Sequence, residues 1–362
     1  MKKSIILILL ATLAMVSCNK DYVVHKNNGS KIEIRTAIDT RATEIKESDL
    51  NSFSVTALYD DGRTYFEDTF TRETNSIYFV SNTDYYWPAD EDLTFIAYYP
   101  TMENVTINGE EKVITGYTPD ADIAQQIDFI TAVKRTNIED SENGVALEFK
   151  HQLSQIEVNG KNTNKGYTIK VKAIRLKNVA KSGNFDFVAP MVNWEQSEEL
   201  TSYEIVFANE ITLGDNLASL MGGKGNAMLI PQTRLPWGIT PSDNDAAAGE
   251  GSGDDDDQSV EEPTSDPNGT YIAFYINAVT ESGSKVYPRD NDEYGWVALP
   301  IAFNWAAGYK YTYNCDFSEG LGVVAPDEED DEEGEEIFGN KINVDASFGG
   351  WSYDNSSTTL EF

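Results

Sequence analysis

Side chains able to do covalent or acid–base chemistry near neutral pH are scarce in this chain: two cysteines, Cys18 and Cys315, and two histidines, His25 and His151. A serine or cysteine nucleophile needs a base beside it, and no G-x-S-x-G turn is present to display one. Two histidines and one distal thiol fall short of a zinc site without carboxylates, and H-E-x-x-H is absent. "MGGKGN", 221–226, lacks the Gly-Lys-Ser/Thr ending of a phosphate loop and reads as an ordinary turn. Carboxylates are abundant, so a pair spaced for glycoside hydrolysis is the one enzymatic chemistry that composition leaves open. His151, in "FKHQLSQIEV", reads as a packing residue at a strand edge. Cys315, in "YKYTYNCDF", reads as a small buried hydrophobe. Trp87, Trp194, Trp237, Trp296, Trp305 and Trp351 are the raw material for a sugar-stacking platform. Each lies beside an alternating apolar run, where a tryptophan more often caps a core. The chain is therefore expected to be non-enzymatic, with no catalytic residue, no metal ligand and no cofactor.

The position of Cys18 asks for a different chemistry. Lys2 and Lys3 precede an apolar run over residues 5–16. That run is shorter than the roughly 20 residues that cross a bilayer and fits the apolar region of a secretory signal. Met15, Val16 and Ser17 lead into Cys18, an arrangement that resembles the lipobox of bacterial lipoproteins. Only a thiol can form the thioether to diacylglycerol, which is why such a site needs cysteine. Residues 1–17 are expected to be a lipoprotein signal peptide, Cys18 the lipidated new N-terminus, and 18–30 a tether. With Cys18 acylated, Cys315 is alone and no intramolecular disulfide can form.

These residues must be carried by a large and very acidic protein. After the leader, about 345 residues remain, which predicts two domains. A net charge of −34 excludes nucleic acid as a partner, because such a partner needs a basic face. Two tracts concentrate the acid, 243–269 and 325–336. Both read as solvated loops, since blocks of like charge repel when compacted. Neither has the alternating acids and central glycine of a calcium loop.

Between the tracts the pattern is short alternating runs broken by turn residues. "KIEIRTAI" sets Ile32, Ile34 and Thr36 against Lys31, Glu33 and Arg35. "SFSVTALY", "GVALEFKHQLSQIEV", "YTIKVKAIRL", "TYIAFYINAV" and "GWVALPIAF" are rich in β-branched and aromatic residues, and "LTFIAYYP" is apolar on both faces. "DADIAQQIDFITAV" alone offers helical spacing, and it fits a short helix leading into a strand. Strands at this spacing predict an all-β protein of β-sandwiches. The polar cluster "RTNIEDSENG" suggests a boundary at about 135–144, giving an N-terminal sandwich over 31–143 and a C-terminal one over 144–362.

An ordered set of segments adds a resemblance. "TRATE" follows the first run, then come "DYYWPADEDLTFIAYYP", "IDFITAV" and "VALEFKHQLSQIEV". "AMLIPQ", "WVALP", "FNWAAGYKYTYNCDF" and "INVDASFGGW" complete the set. With the lipobox, this series resembles the fimbrillin family of Bacteroidota, in particular its minor-fimbrillin-like lipoproteins. The resemblance implies two transthyretin-like β-sandwich domains in tandem and a place in a type V pilus as shaft, tip or anchor. It implies travel to the outer membrane as a lipoprotein, held through lipid on Cys18. In polymerising members an arginine-specific protease removes the first strand, and a strand from another subunit fills the groove by β-augmentation. On this sequence Arg41 in "DTRATE" is the first candidate for cleavage and Arg35 the second. The implied partners are other fimbrial subunits and ligands on host or bacterial surfaces. The tail beyond Trp351 is polar until Leu360 and Phe362, a poor zipper that leaves tip and anchor open beside shaft. The competing expectation is a surface lipoprotein that binds glycans on exposed aromatic rings.

Overall fold

The computed structural model describes residues 27–38, 50–189, 193–238, 266–290, 292–326, 335–337, 342–350 and 358–360. The leader, Cys18, His25, Arg41, Trp351 and most of both acidic tracts lie outside these residues. The fold is all-β, as the alternating runs predict.

Eleven strands come first: β1 (Asn27–Lys31), β2 (Ile34–Ile38), β3 (Ser52–Tyr59), β4 (Thr64–Arg72), β5 (Tyr78–Val80), β6 (Tyr86–Pro88), β7 (Leu93–Tyr99), β8 (Val105–Ile107), β9 (Lys112–Tyr117), β10 (Ile130–Thr136) and β11 (Val145–His151). Seven of them close into a barrel in the order β10-β11-β2-β5-β4-β3-β7, with β7 pairing back to β10. The sequence predicts a β-sandwich here, and its sheet is closed: β2 stands between β11 and β5 and joins what would be two free edges. The change of sheet also falls later than the expected boundary at 135–144. β11 pairs with β10 and β2 and belongs to the barrel, so the chain leaves it only after His151. The barrel core gathers Ile32, Ile34, Phe53, Phe79, Phe95 and Phe149, with Phe53 packed on Phe79 and edge-on to Phe149.

The next strands are β12 (Ser154–Lys161), β13 (Tyr167–Ala180), β14 (Gly183–Asp186), β15 (Trp194–Gln196), β16 (Leu200–Thr212), β17 (Ala218–Ser219), β18 (Ala227–Leu229) and β19 (Gln232–Arg234). After the first acidic tract follow β20 (Tyr271–Thr280), β21 (Lys285–Tyr287), β22 (Gly295–Pro300), β23 (Phe303–Trp305), β24 (Tyr309–Asp316), β25 (Val323–Val324), β26 (Asn343–Gly350) and β27 (Thr358–Leu360). Two sheets, β17-β12-β24-β26-β27 and β16-β13-β20-β22-β25, share one core. Val158, Tyr313 and Cys315 enter it from one sheet, and Ile169, Phe274 and Val297 from the other. β16 and β24 alternate inward and outward over most of their length, the period-2 signature that the sequence carries.

A third unit joins the two. β9, paired with β8, also pairs with β14, which carries β15, so strands from before and after the barrel's last strand share one four-stranded sheet, β15-β14-β9-β8. Its core holds Phe129, Phe185 and Trp194 together with Ile96 and Tyr98 from the outer face of β7. This explains why "LTFIAYYP" is apolar on both faces: Leu93, Phe95 and Ala97 fill the barrel while Ile96 and Tyr98 pack outside it. The expected short helix is a 3-10 turn, Ile123–Gln125, capped by the Asp122 carboxylate on the Ala124 N–H and leading towards β10.

Candidate functional site: the inserted first strand

The segment 27–38 is stitched into the barrel at each step. β1 pairs with β6 at the rim, so residues 27–30, expected to be tether, are already strand. The Lys31 ammonium meets Asp84 at 2.7 Å, and the Ile32 N–H donates to the Tyr85 carbonyl at 2.8 Å. The Glu33 carbonyl accepts from the Val145 N–H at 2.8 Å, and β2 then runs parallel to β11 from Ile34 opposite Val145 to Ile38 opposite Phe149. Antiparallel pairing to β5 is far shorter, Ile34 with Phe79 and Arg35 with Tyr78. Beyond Arg35, β2 keeps β11 as its partner strand, and its pairing to β5 does not extend further among the described residues.

Gly144 makes this parallel approach sterically feasible. It turns into β11 with φ +83°, and a Cβ there would stand 3.0 Å from the Tyr78 ring and 3.1 Å from the Glu33 carbonyl oxygen. Side-chain faces follow the pleat. Ile32 and Ile34 are buried in the barrel core, while Glu33, Arg35 and Ala37 are exposed. Thr36 points the same way as Ile34 and is buried, and its Oγ1 has no hydrogen-bond partner among the described residues.

Arg35 thus sits with an exposed side chain on a backbone paired on both sides. A protease needs its scissile bond extended and free, so the ladder shields Arg35–Thr36. Arg41 lies in the segment 39–49, outside the described residues, three positions past the end of β2.

The other residues singled out in the sequence are placed as follows. Cys315 is fully buried in β24, and burial pushes its thiol pKa well up. His151 is buried and bonds through Nδ1 to the Asp128 carboxylate, itself buried. Asp128, which sequence inspection missed, has its pKa raised by burial, against the opposing pull of His151. Trp87, Trp194, Trp237 and Trp305 are buried. Trp296 is half-buried on the outer face of β22, stacked on Tyr275 with the Arg175 guanidinium 3.8 Å from its ring. The described tryptophans therefore form no open stacking row. Acids do crowd one end of the barrel at Asp60, Asp61, Glu91 and Asp92, among Arg63 and Arg135. Arg135 bonds Asp60 and Asp92 at 2.6 and 2.9 Å, and its hydrogen bond holds the Asp60 carboxyl below its usual range. A glycosidase acid needs the opposite, a carboxyl kept protonated. "MGGKGN" is a turn in which Gly222, Gly223 and Gly225 take positive φ and Lys224 pairs with Asp122 at 2.9 Å. Among the described residues no group of three or more His, Cys, Asp or Glu is arranged to hold a metal ion.

Comparison with known proteins bears on the whole architecture. The chain aligns with a fimbrial protein from Bacteroides vulgatus at TM-score 0.56 and 16% identity, covering 89% of this chain and 99% of that one. It also aligns with the fimbrial anchor protein Mfa2 from Porphyromonas gingivalis at TM-score 0.32 and 10% identity, over 86% of this chain and 99% of that one. At such identities the first likeness speaks for the fold alone. No curated protein matches the sequence. The fimbrillin-like family profile matches residues 27–329, which begin at β1 and run through the barrel and into the last acidic tract. By that match the chain belongs to the fimbrillin-like family.

Proposed function

We propose that the chain is a structural, non-catalytic subunit of a cell-surface fimbrium, exported as a lipoprotein on Cys18 and assembled by strand exchange. The observation that carries this reading is the place of β2: one five-residue strand near the N-terminus closes the barrel. Cleavage after Arg41 would leave β1 and β2 held by their ladders, by the Lys31–Asp84 ion pair and by the burial of Ile32, Ile34 and Thr36. Once they leave, β11 and β5 become open edges over an apolar floor, the situation that an incoming strand completes. Main-chain hydrogen bonds then supply affinity and alternate side chains set the register. Arg35 stays the second candidate, disfavoured because its peptide bond lies inside the ladder.

Lipid on Cys18 fits the same scheme. A mature lipoprotein carries two or more acyl chains, enough for stable anchoring in the outer membrane, where a single chain is marginal. A cut beyond Cys18 turns the lipid into a delivery device. An uncut chain stays at the membrane as an anchor. Partners are other subunits through the groove, and host or bacterial surface ligands for a subunit at the tip.

The deciding experiment is the mass and N-terminal sequence of the protein taken from its native cell surface. A start at Ala42 supports a polymerising subunit, and a start at Thr36 moves the cut to Arg35. A diacylated Cys18 start overturns strand exchange at this groove and leaves an anchored lipoprotein.

A further inference from the structure

We infer that Thr36 is the specificity-determining position of the groove: it makes the resident strand an imperfect filler, and the groove prefers an incoming strand with valine or isoleucine there. The inference rests on the strand-exchange reading above and says what the replacing segment must look like. Ile34 and Thr36 are the two described β2 side chains that face the barrel core. Ile34 is fully buried in the apolar barrel core and suits it. Thr36 stands opposite Leu147, itself fully buried, and carries a hydroxyl sealed from solvent with no hydrogen-bond partner among the described residues. A buried hydroxyl in that state keeps its desolvation cost with nothing to offset it. Valine has the same shape without that cost, which is why the two are not interchangeable in a core. The second feature lies in the ladder. Pairing to β5 ends at Arg35, so among the described residues Thr36 is the first residue of β2 with a strand partner on the β11 side only. Both weaknesses fall on the half of β2 nearest Arg41, the end from which a clipped strand would peel. The favoured occupant is an extended segment of another subunit, parallel to β11, apolar at alternate positions and β-branched aliphatic at the Thr36 register.

Two measurements test this. In the uncut full chain, Thr36→Val should raise Tm by about 2–4 °C, and amide exchange across β2 should slow by roughly tenfold. An unchanged or lowered Tm with unchanged exchange overturns the inference. Thr36→Ser serves as a control that keeps the hydroxyl and should give no gain. Next, the chain cleaved after Arg41 is offered labelled peptides of sequence 31–38, one natural and one with valine in place of Thr36. The valine peptide should be retained about tenfold more tightly. Equal retention overturns the preference. Retention of neither peptide, with the uncut chain behaving as expected, overturns strand replacement itself while the cost of the buried hydroxyl stands.

Discussion

At the scale of single residues, burial has removed the reactive groups from use. Cys315 is enclosed between the two facing sheets, and its raised pKa leaves little thiolate near neutrality. In the Cys18-acylated or N-terminally cleaved protein, where Cys315 is the remaining thiol, thiol reagents should therefore label only at the rate of unfolding, and one equivalent should appear at once in denaturant. That role was legible, because "YKYTYNCDF" alternates and puts Cys315 on the same face as Tyr311 and Tyr313. The partner of His151 was not legible. Asp128 lies 23 residues earlier, in the loop just before β10, and alternation says which face a strand residue takes but not what it meets. Asp128→Ala should cost about 3–5 kcal/mol in urea unfolding, the usual penalty for stripping one member of a buried pair. Asp316 shows the opposite sense of titration. Burial would raise its carboxyl, but hydrogen bonds from Ser318 and the Lys161 ammonium outweigh that and hold it low. A folded pKa below the unfolded one gives stability that is present above the ordinary carboxylate pKa and lost as pH falls through the folded value. The stability gap between the native chain and Asp316→Asn should accordingly be open at pH 7 and close on acidification, read from denaturation midpoints at both ends.

At the scale of elements, β2 determines how the barrel is held. "KIEIRTAI" announces a strand and its inward face, yet nothing in it announces a parallel partner more than a hundred residues downstream. Parallel pairing between distant segments is invisible to a local pattern. So the local pattern announces the strands of a β-sandwich but not the pairing by which β2 closes the sheet. Ile34 is fully buried at the point where β2 touches both neighbours. Ile34→Ala should thus cost about 2–5 kcal/mol, whereas Arg35→Ala, one residue on and exposed, should stay within about 0.5 kcal/mol. The same ladder orders proteolysis. An arginine-specific protease acting on the folded chain should cut after Arg41 well before Arg35, and Edman sequencing of the C-terminal product should read Ala42 first. Early release of a fragment starting at Thr36 would mean that β2 opens far more readily than its pairing allows.

At the scale of the whole molecule, the shared sheet β15-β14-β9-β8 is what makes the barrel and the sandwich respond together. The polar cluster at 135–144 looked like a boundary because turn residues mark a loop whichever sheet it serves. Here the loop joins β10 to β11 within the barrel. Behind it, Phe129 lies edge-on to both Phe185 and Trp194, and the Trp194 indole N–H donates to the Gln152 carbonyl at 2.7 Å. Phe129 and Gln152 flank β10 and β11 of the barrel, whereas Phe185 and Trp194 come from β14 and β15. Unfolding either side therefore strips the aromatic cluster that the other side also needs. Calorimetry of the intact chain should show a single transition although the described residues form several separate hydrophobic clusters. Phe185→Ala removes the ring at the centre of the cluster and should cost about 3–5 kcal/mol. Because the loss falls on the junction, the heat absorption should also broaden or split in two. If Phe185→Ala lowers Tm yet keeps one sharp transition, the coupling runs instead through the direct continuation of β11 into β12, and shortening that link is the variant that should separate the halves.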